Sequence, residues 1–352
     1  MGERTGGRPL HVVAREPFNA EATARGLRPG VTRTPEFFVR SHFPLPERSP
    51  GSWRLQVQGE VVRPGSWTVA DLRRLPQHRV TAVLECAGNG RSSFRRTAPG
   101  ELRWGDRAVG NAEWEGPRLS DLLREVGARR TAREVFFRGA DGADGQSRTS
   151  GSFDRSLGLG EVRRSPEILL ALRMNGAPLG PEHGRPVRLV VPGWYGMAWV
   201  KWLSTIELRR TRFSGPFQGA KYVYLPVRGT AGAARPVTRM RVKSLLTSHV
   251  DGDRIRAERR LRISGKAWSG AGRIRRVEVS VDGVWSSATL AHSRPRHAWV
   301  DWTFDWTPAR PGRYTIRVRA TDSQGARQPD RSVDNAFQYG SNGVRSIILR
   351  AV

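Results

Sequence analysis

The hydrophobic pattern of this 352-residue chain changes period near Pro236, and that change limits what each part can become. Beyond the proline, apolar residues alternate in Leu261-Arg262-Ile263 and in Val277-Glu278-Val279-Ser280-Val281, and Asp282-Gly283 follows as a hairpin signal. Trp299, Trp302, Phe304 and Trp306 fall in the next strand, Pro311-Gly312 turns the chain, and Tyr314, Ile316 and Val318 alternate again. Short strands of period two separated by turns predict an all-β immunoglobulin-like sandwich over 237–352. The segment carries no cysteine pair and no catalytic cluster.

Before the break the elements are mixed. Trp53 to Val57 reads as a strand, Thr68 to Leu75 as a short helix, and Val80 to Leu84 as a buried strand ending at Glu85-Cys86. Ser120 is placed to cap a helix through Val126 that Gly127 stops. Strand-like runs follow at 134–138, 168–174 and 187–191, with Asn175-Gly176 as a turn. Helices and strands do not alternate regularly, so an α+β domain is expected over 35–236. Residues 1–34, rich in Pro, Arg and Gly, read as an arm laid over it.

The lone cysteine, Cys86, excludes an internal disulfide, a four-cysteine zinc site, an iron–sulfur cluster and CxxCH haem attachment. No apolar run approaches the roughly 18 residues of a spanning helix. The first residues have no apolar signal region, so no membrane span and a cytoplasmic location are expected. Sixty Lys and Arg against 32 Asp and Glu give +28, which raises nucleic acid or another polyanion as a partner. Four of those sixty are lysines and 56 are arginines, spread evenly with no basic tail or stripe. That spread is also what an arginine-rich composition on a solvated surface produces. A non-enzymatic polyanion-binding module is therefore the alternative to an enzyme.

The strongest segment for chemistry is Leu84-Glu85-Cys86-Ala87-Gly88-Asn89-Gly90-Arg91. A cysteine at a strand end, followed by small residues, puts a soft thiolate where backbone can approach a bulky ligand. Taken alone, it fits a small buried hydrophobe somewhat better than a metal ligand. Three further segments stand in order around it: Phe37-Phe38-Val39-Arg40-Ser41-His42-Phe43-Pro44, His183-Gly184-Arg185-Pro186-Val187-Arg188, and Val191-Pro192-Gly193 through Trp199-Val200-Lys201-Trp202-Leu203. Together the four resemble the signature segments of the sulfite oxidase family of molybdenum enzymes, over about residues 35 to 350. The sandwich, with Gly265-Lys266-Ala267-Trp268-Ser269-Gly270, resembles that family's dimerisation domain.

The resemblance implies a molybdopterin cofactor with Cys86 as the protein's sulfur ligand to molybdenum. It implies cofactor contacts from Phe38, Arg40, Ser41, His42, Asp141, His183, Arg188, Trp199, Val200 and Lys201. It implies a pocket for a small anionic substrate formed by Arg40, Arg91 and Trp104, and oxidation of sulfite or a related sulfur oxyanion by oxygen-atom transfer. A homodimer is expected. No HPGG-type haem motif is present, so electrons are expected to pass to an external acceptor: a cytochrome, a haem subunit, a quinone-linked partner or dioxygen. Two departures stand out. Leu172 occupies the position read as the family's pocket tyrosine, with Tyr195 as a conceivable replacement, and Phe337 to Gly343 holds no arginine where the second domain would supply one.

Overall fold

The computed structural model describes residues 9–46, 50–94, 98–142, 152–227, 232–292 and 295–352. Two cores organise the chain. Around the first stand a five-stranded sheet, in the order Gly65–Trp67, Leu55–Gly59, Leu203–Arg209, Glu134–Gly139, Asp154–Gly158, and a four-stranded sheet, in the order Ala177–Pro178, Arg173–Met174, Val109–Pro117, Gln77–Glu85. Three short α-helices, Val69–Arg74, Leu119–Val126 and Leu159–Arg164, lie beside them. This region is α+β, mostly sheet.

Local chemistry accounts for most of these elements. Thr68 caps its helix reciprocally: its hydroxyl accepts from the Asp71 amide at 3.1 Å while the Asp71 carboxylate accepts from the Thr68 amide at 2.8 Å. The second helix starts at Leu119, not after Ser120, because the Ile168 carbonyl accepts from the Leu119 amide at 2.9 Å and does the work expected of a side-chain cap. Gly127, at φ 69°, ends it. The run 168–174 is not one strand. Leu169–Ala171 pairs with Arg188–Val190, Arg173–Met174 pairs with Val109–Pro117, and the chain changes sheets at Leu172. Asn175-Gly176 and Asp282-Gly283 both adopt positive φ at their two central residues, the conformation of tight hairpins.

The second core lies between two sheets. One runs Lys243–Leu246, Leu261–Trp268, Val300–Trp306, Thr289–Leu290; the other runs Arg254–Ile255, Ser346–Ala351, Gly312–Asp322, Ile274–Val281, Val284–Ser287. Ile263, Ala267, Val300 and Trp302 from the first meet Val277, Val279, Ile316, Val318 and Leu349 from the second. The sandwich is not a free appendage, since Trp268, Trp299 and Tyr339 are buried in the first core.

The arm is built into the first domain. Leu10–Ala14 and Asn19–Ala22 form a hairpin, Ala20 bridges to Val39, and the Ala22 and Thr32 amides donate to the Arg107 and Asn111 carbonyls. Among the described residues no helix is long and apolar enough to cross a membrane.

Candidate active site

Cys86 follows directly on the strand Gln77–Glu85, which extends beyond its apolar run because the whole length pairs with Val109–Pro117. Backbone bonds fix the turn: the Cys86 amide donates to the Ala108 carbonyl and the Asn89 amide to the Cys86 carbonyl, both at 2.9 Å. The Asn89 side chain then bridges Glu85 and the Ala108 amide. Glu85 is anchored from the sandwich, where Lys243 Nζ lies 3.3 Å from Oε1 and Trp268 Nε1 donates to Oε2 at 2.9 Å.

The cysteine opens into a cavity lined by Phe38, Arg40, Ser41, His42, Asp141, Phe153, Glu182, His183, Arg188, Trp199, Lys201 and Tyr222, with Leu84, Ala87, Gly196 and Met197. The four motif segments, joined by Asp141, Phe153 and Tyr222, thus meet at one thiol. The arm participates, because the Asn19 carboxamide accepts from the Ser41 amide at 2.9 Å and from Arg40 Nη1 at 3.3 Å. Lys201 Nζ donates to Ser41 Oγ at 2.8 Å and to the Glu182 carbonyl at 2.9 Å. Gly184, at φ 99°, lets Lys201 and Arg188 close together, since a Cβ there would stand 3.0 and 3.1 Å from their β-carbons. Arg188 is buried over the rings of Trp114 and Trp199, at 4.9 and 5.8 Å, and donates to the His183 and Trp199 carbonyls.

Among the described residues no carboxylate forms an ion pair with Arg188, and Asp141 only partly balances Lys201. Burial pushes Arg188 down to about 9. Burial, reinforced by Arg188 and Lys201, pushes His183 down to about 3. Burial likewise lowers Lys201, which Asp141 only partly offsets, and drives His42 well below the usual histidine range with help from Arg40. Burial raises Asp141 and the Cys86 thiol. Arg188 Nε has no hydrogen-bond partner among the described residues. Buried donors without protein partners and depressed cations are the chemistry of an anion-binding site. Among the described residues no cluster of three His, Cys, Asp or Glu side chains is arranged to hold a bare metal ion. One thiol facing a set of cations instead fits a metal that arrives with its own ligands on a phosphorylated carrier.

Three residues expected in the site lie outside its wall. Arg91 is 2 % exposed and turned away, with Nη2 2.8 Å from the Glu101 carboxylate, Nε donating to the Phe337 carbonyl at 3.0 Å, and its guanidinium 4.9 Å from the Tyr339 ring centre. Its charge is already paired. Trp104 is fully buried in the core behind the cysteine loop, and Val200 is a core residue whose carbonyl accepts from the Leu189 amide at 2.8 Å.

The expectation of a missing phenol is also corrected. Leu172 is a core residue at the sheet change, and the Tyr195 hydroxyl accepts from the Arg241 amide at 3.2 Å, away from the cavity. The phenol comes from Tyr222, whose Oη lies 2.9 Å from His42 Nε2. Its backbone φ of 56° is uncommon for a tyrosine, the kind of outlier that tertiary packing must hold in place. The segment that lacks an arginine supplies Tyr339 instead, stacked on Tyr222 with centroids 5.1 Å apart.

Residues 42–217 match the family model described as oxidoreductase molybdopterin binding domain, and residues 234–342 match the Mo-co oxidoreductase dimerisation domain. The chain belongs to the sulfite oxidase family. Mitochondrial sulfite oxidase of Rattus norvegicus is 34% identical over 348 residues, covering 91% of this chain and 61% of the relative. Sulfite oxidase of Gallus gallus is 34% identical over 339 residues, covering 91% and 73%. The chain thus spans about three-fifths of the length of several of these relatives. Among solved structures, the sulfane dehydrogenase SoxCD from Paracoccus pantotrophus superposes with a TM-score of 0.82 at 28% identity, covering 100% of this chain and 95% of that one. The family's cofactor, molybdenum bound to molybdopterin, is the anion-bearing ligand that the cation set and Cys86 fit. Family membership places the chain among molybdopterin oxidoreductases and not among non-enzymatic modules.

Proposed function

We propose that the protein oxidises a small anionic sulfur compound, sulfite in the first instance, and passes the electrons to an external acceptor. The single observation that carries this reading is the cavity at Cys86, in which one thiol faces buried cations and a neutral phenol–imidazole pair. When bound, molybdopterin supplies a metal able to accept two electrons and transfer one oxygen atom. Cys86 Sγ, as a thiolate, would be the protein's ligand to that metal. Arg188, Lys201, His183 and Ser41 would hold the phosphate-bearing carrier, with Asp141 beside it, and Phe38 and Trp199 would pack on it.

Arg40, on the cavity wall, neutralises the approaching substrate. Burial holds the Tyr222 phenol far above its usual range, so Oη keeps its proton and donates it in a hydrogen bond. The neutral His42 imidazole orients that hydroxyl. Arg91 acts as a positioning residue, tying the cysteine loop to Tyr339 of the second domain. The chain's likeness to SoxCD over its whole length favours a second reading, in which the substrate presents sulfane sulfur. A cytochrome, a haem subunit, a quinone-linked partner and dioxygen all remain candidate acceptors, and the sandwich is proposed to pair two copies of the chain.

Steady-state assays on molybdenum-loaded protein with sulfite, thiosulfate and an artificial one-electron acceptor test the reaction. Turnover of sulfite is expected, with Arg40→Met raising KM by about tenfold, the equivalent of about 1.4 kcal/mol from one charge-assisted contact. Loaded protein that does not turn over millimolar sulfite overturns the sulfite reading. Sedimentation showing only a 39.3 kDa monomer at micromolar concentration overturns the dimer.

A further inference from the structure

We propose that Arg155 is a specificity-determining residue, a guanidinium fork that receives the oxygens of a small sulfur oxyanion on the Tyr222 side of the cavity. The proposal rests on the reading that the substrate is an anion, and it names a residue that none of the four sequence motifs contains. Arg155 stands in the strand Asp154–Gly158, opposite Phe137 and two residues after Phe153, a residue of the cavity wall. It is 3 % exposed.

Its surroundings are unusual for a buried arginine. Nε and Nη1 have no hydrogen-bond partner among the described residues, and no carboxylate among them forms an ion pair with it. The guanidinium lies 5.6 Å from the ring centre of Tyr222, whose hydroxyl bonds His42, and its charge is among those that depress that histidine. Burial lowers Arg155 to about 10, which leaves it charged at neutral pH. A buried cation with free donors is costly unless something fills it.

The contrast with Arg91 makes the assignment specific. Arg91 and Arg155 flank the stacked pair Tyr339–Tyr222, one on each ring. Arg91 is neutralised by Glu101, and its Nε and Nη1 donate to carbonyls. Arg155 has neither an ion pair nor a partner for Nε and Nη1 among the described residues. Arg188 also carries a free Nε, but on the carrier side of the cavity, among His183 and Trp199. Arg188 and Arg155 are buried, carry free donors and form no ion pair with a carboxylate among the described residues, and they serve two anions, Arg188 the cofactor and Arg155 the substrate. A planar fork suits an acceptor presenting two oxygens, which sulfite and its oxidised product both do.

Arg155→Met and Arg155→Lys, prepared as molybdenum-loaded full-length chains, test this by molybdenum content, the KM-against-kcat split for sulfite, and calorimetric binding of sulfate, which needs no turnover. In Arg155→Met, unchanged molybdenum is expected with KM and the sulfate Kd each raised about tenfold or more, while kcat stays within about threefold. Unchanged KM and Kd overturn the proposal. Should Arg155→Met fail to accumulate loaded protein, Arg155→Lys keeps the charge but removes the fork. A rise in sulfate Kd of about threefold or more is then expected, and an unchanged Kd overturns the proposal. Arg155-dependent sulfate binding in an enzyme inert to sulfite keeps this inference and overturns the proposed reaction. Sulfite turnover with KM and Kd independent of Arg155 does the reverse.

Discussion

Lys243→Met should weaken the whole molecule through a single buried contact between its two domains. Lys243 and Glu85 are 2 % and 1 % exposed as side chains, their charged atoms 3.3 Å apart, and Asp106 lies 3.7 Å from the same ammonium. Removing one partner of a buried ion pair costs about 3–5 kcal/mol, because the other charge is left stranded. Glu85 keeps two further donors, Trp268 Nε1 and Asn89 Nδ2, each at 2.9 Å. The loss is therefore expected near the lower end, about 3 kcal/mol. Urea unfolding followed by tryptophan fluorescence reads it, since Trp268 and Trp299 sit in the core shared by both domains. One cooperative transition is expected, because that core spans the domain junction. Combining Lys243→Met with Glu85→Gln should restore part of the loss, with a coupling of about 2 kcal/mol in the double-mutant cycle. A single-variant loss under about 1 kcal/mol, or additivity within about 0.5 kcal/mol, would refute the reasoning.

Two other perturbations have signs fixed by the geometry. Unfolded chains take up a proton on histidine near pH 6.5, whereas folded His183 does so only at about 3 and His42 is lowered in the same direction; stability of the cofactor-free protein should therefore fall as pH drops from 6.5 towards 5, by up to about 1.4 kcal/mol per pH unit for each histidine. The loaded protein should show a shallower slope, because an anion beside these rings favours their charged forms, and a flat profile in the cofactor-free protein would contradict this. Gly270→Ala should separate the sandwich from the first domain, since the added Cβ would stand 2.0 Å from the Gly193 carbonyl oxygen and 2.5 Å from the Met240 amide nitrogen; a loss of about 1–3 kcal/mol in the same urea assay is expected, and unchanged stability would show that this backbone contact yields freely.

The sandwich was legible because strands such as Gly312–Asp322 alternate in burial over most of their length and Asp282-Gly283 marks a hairpin in two residues. The cysteine loop was legible because its residues are contiguous. Direction was not. Spacing places Arg91 near the cysteine but says nothing about Glu101 and the Phe337 carbonyl, which draw it away from the cavity. Tyr222 escaped because it lies beyond the last motif, in a segment whose positive φ no local pattern announces. Asn19 and Lys243 escaped for another reason: they act on Arg40, Ser41 and Glu85 across long separations, 158 residues for Lys243 and Glu85, and only the folded chain brings them together. Ser120 is not the cap that its position suggests because the Ile168 carbonyl, just before the strand Leu169–Ala171, satisfies the helix start.

The central claim is that the cavity at Cys86 holds molybdopterin, and the direct measurement is the molybdenum and pterin content of folded protein from a host able to make the cofactor. About one molybdenum and one pterin per chain are predicted for the unaltered protein, both lost on Arg188→Met, whose guanidinium is the buried cation on the carrier side. Cys86→Ser should retain the pterin, because the cations that grip it are untouched, but change the metal's absorption spectrum through loss of the thiolate. Folded protein from such a host carrying neither molybdenum nor pterin would contradict the claim.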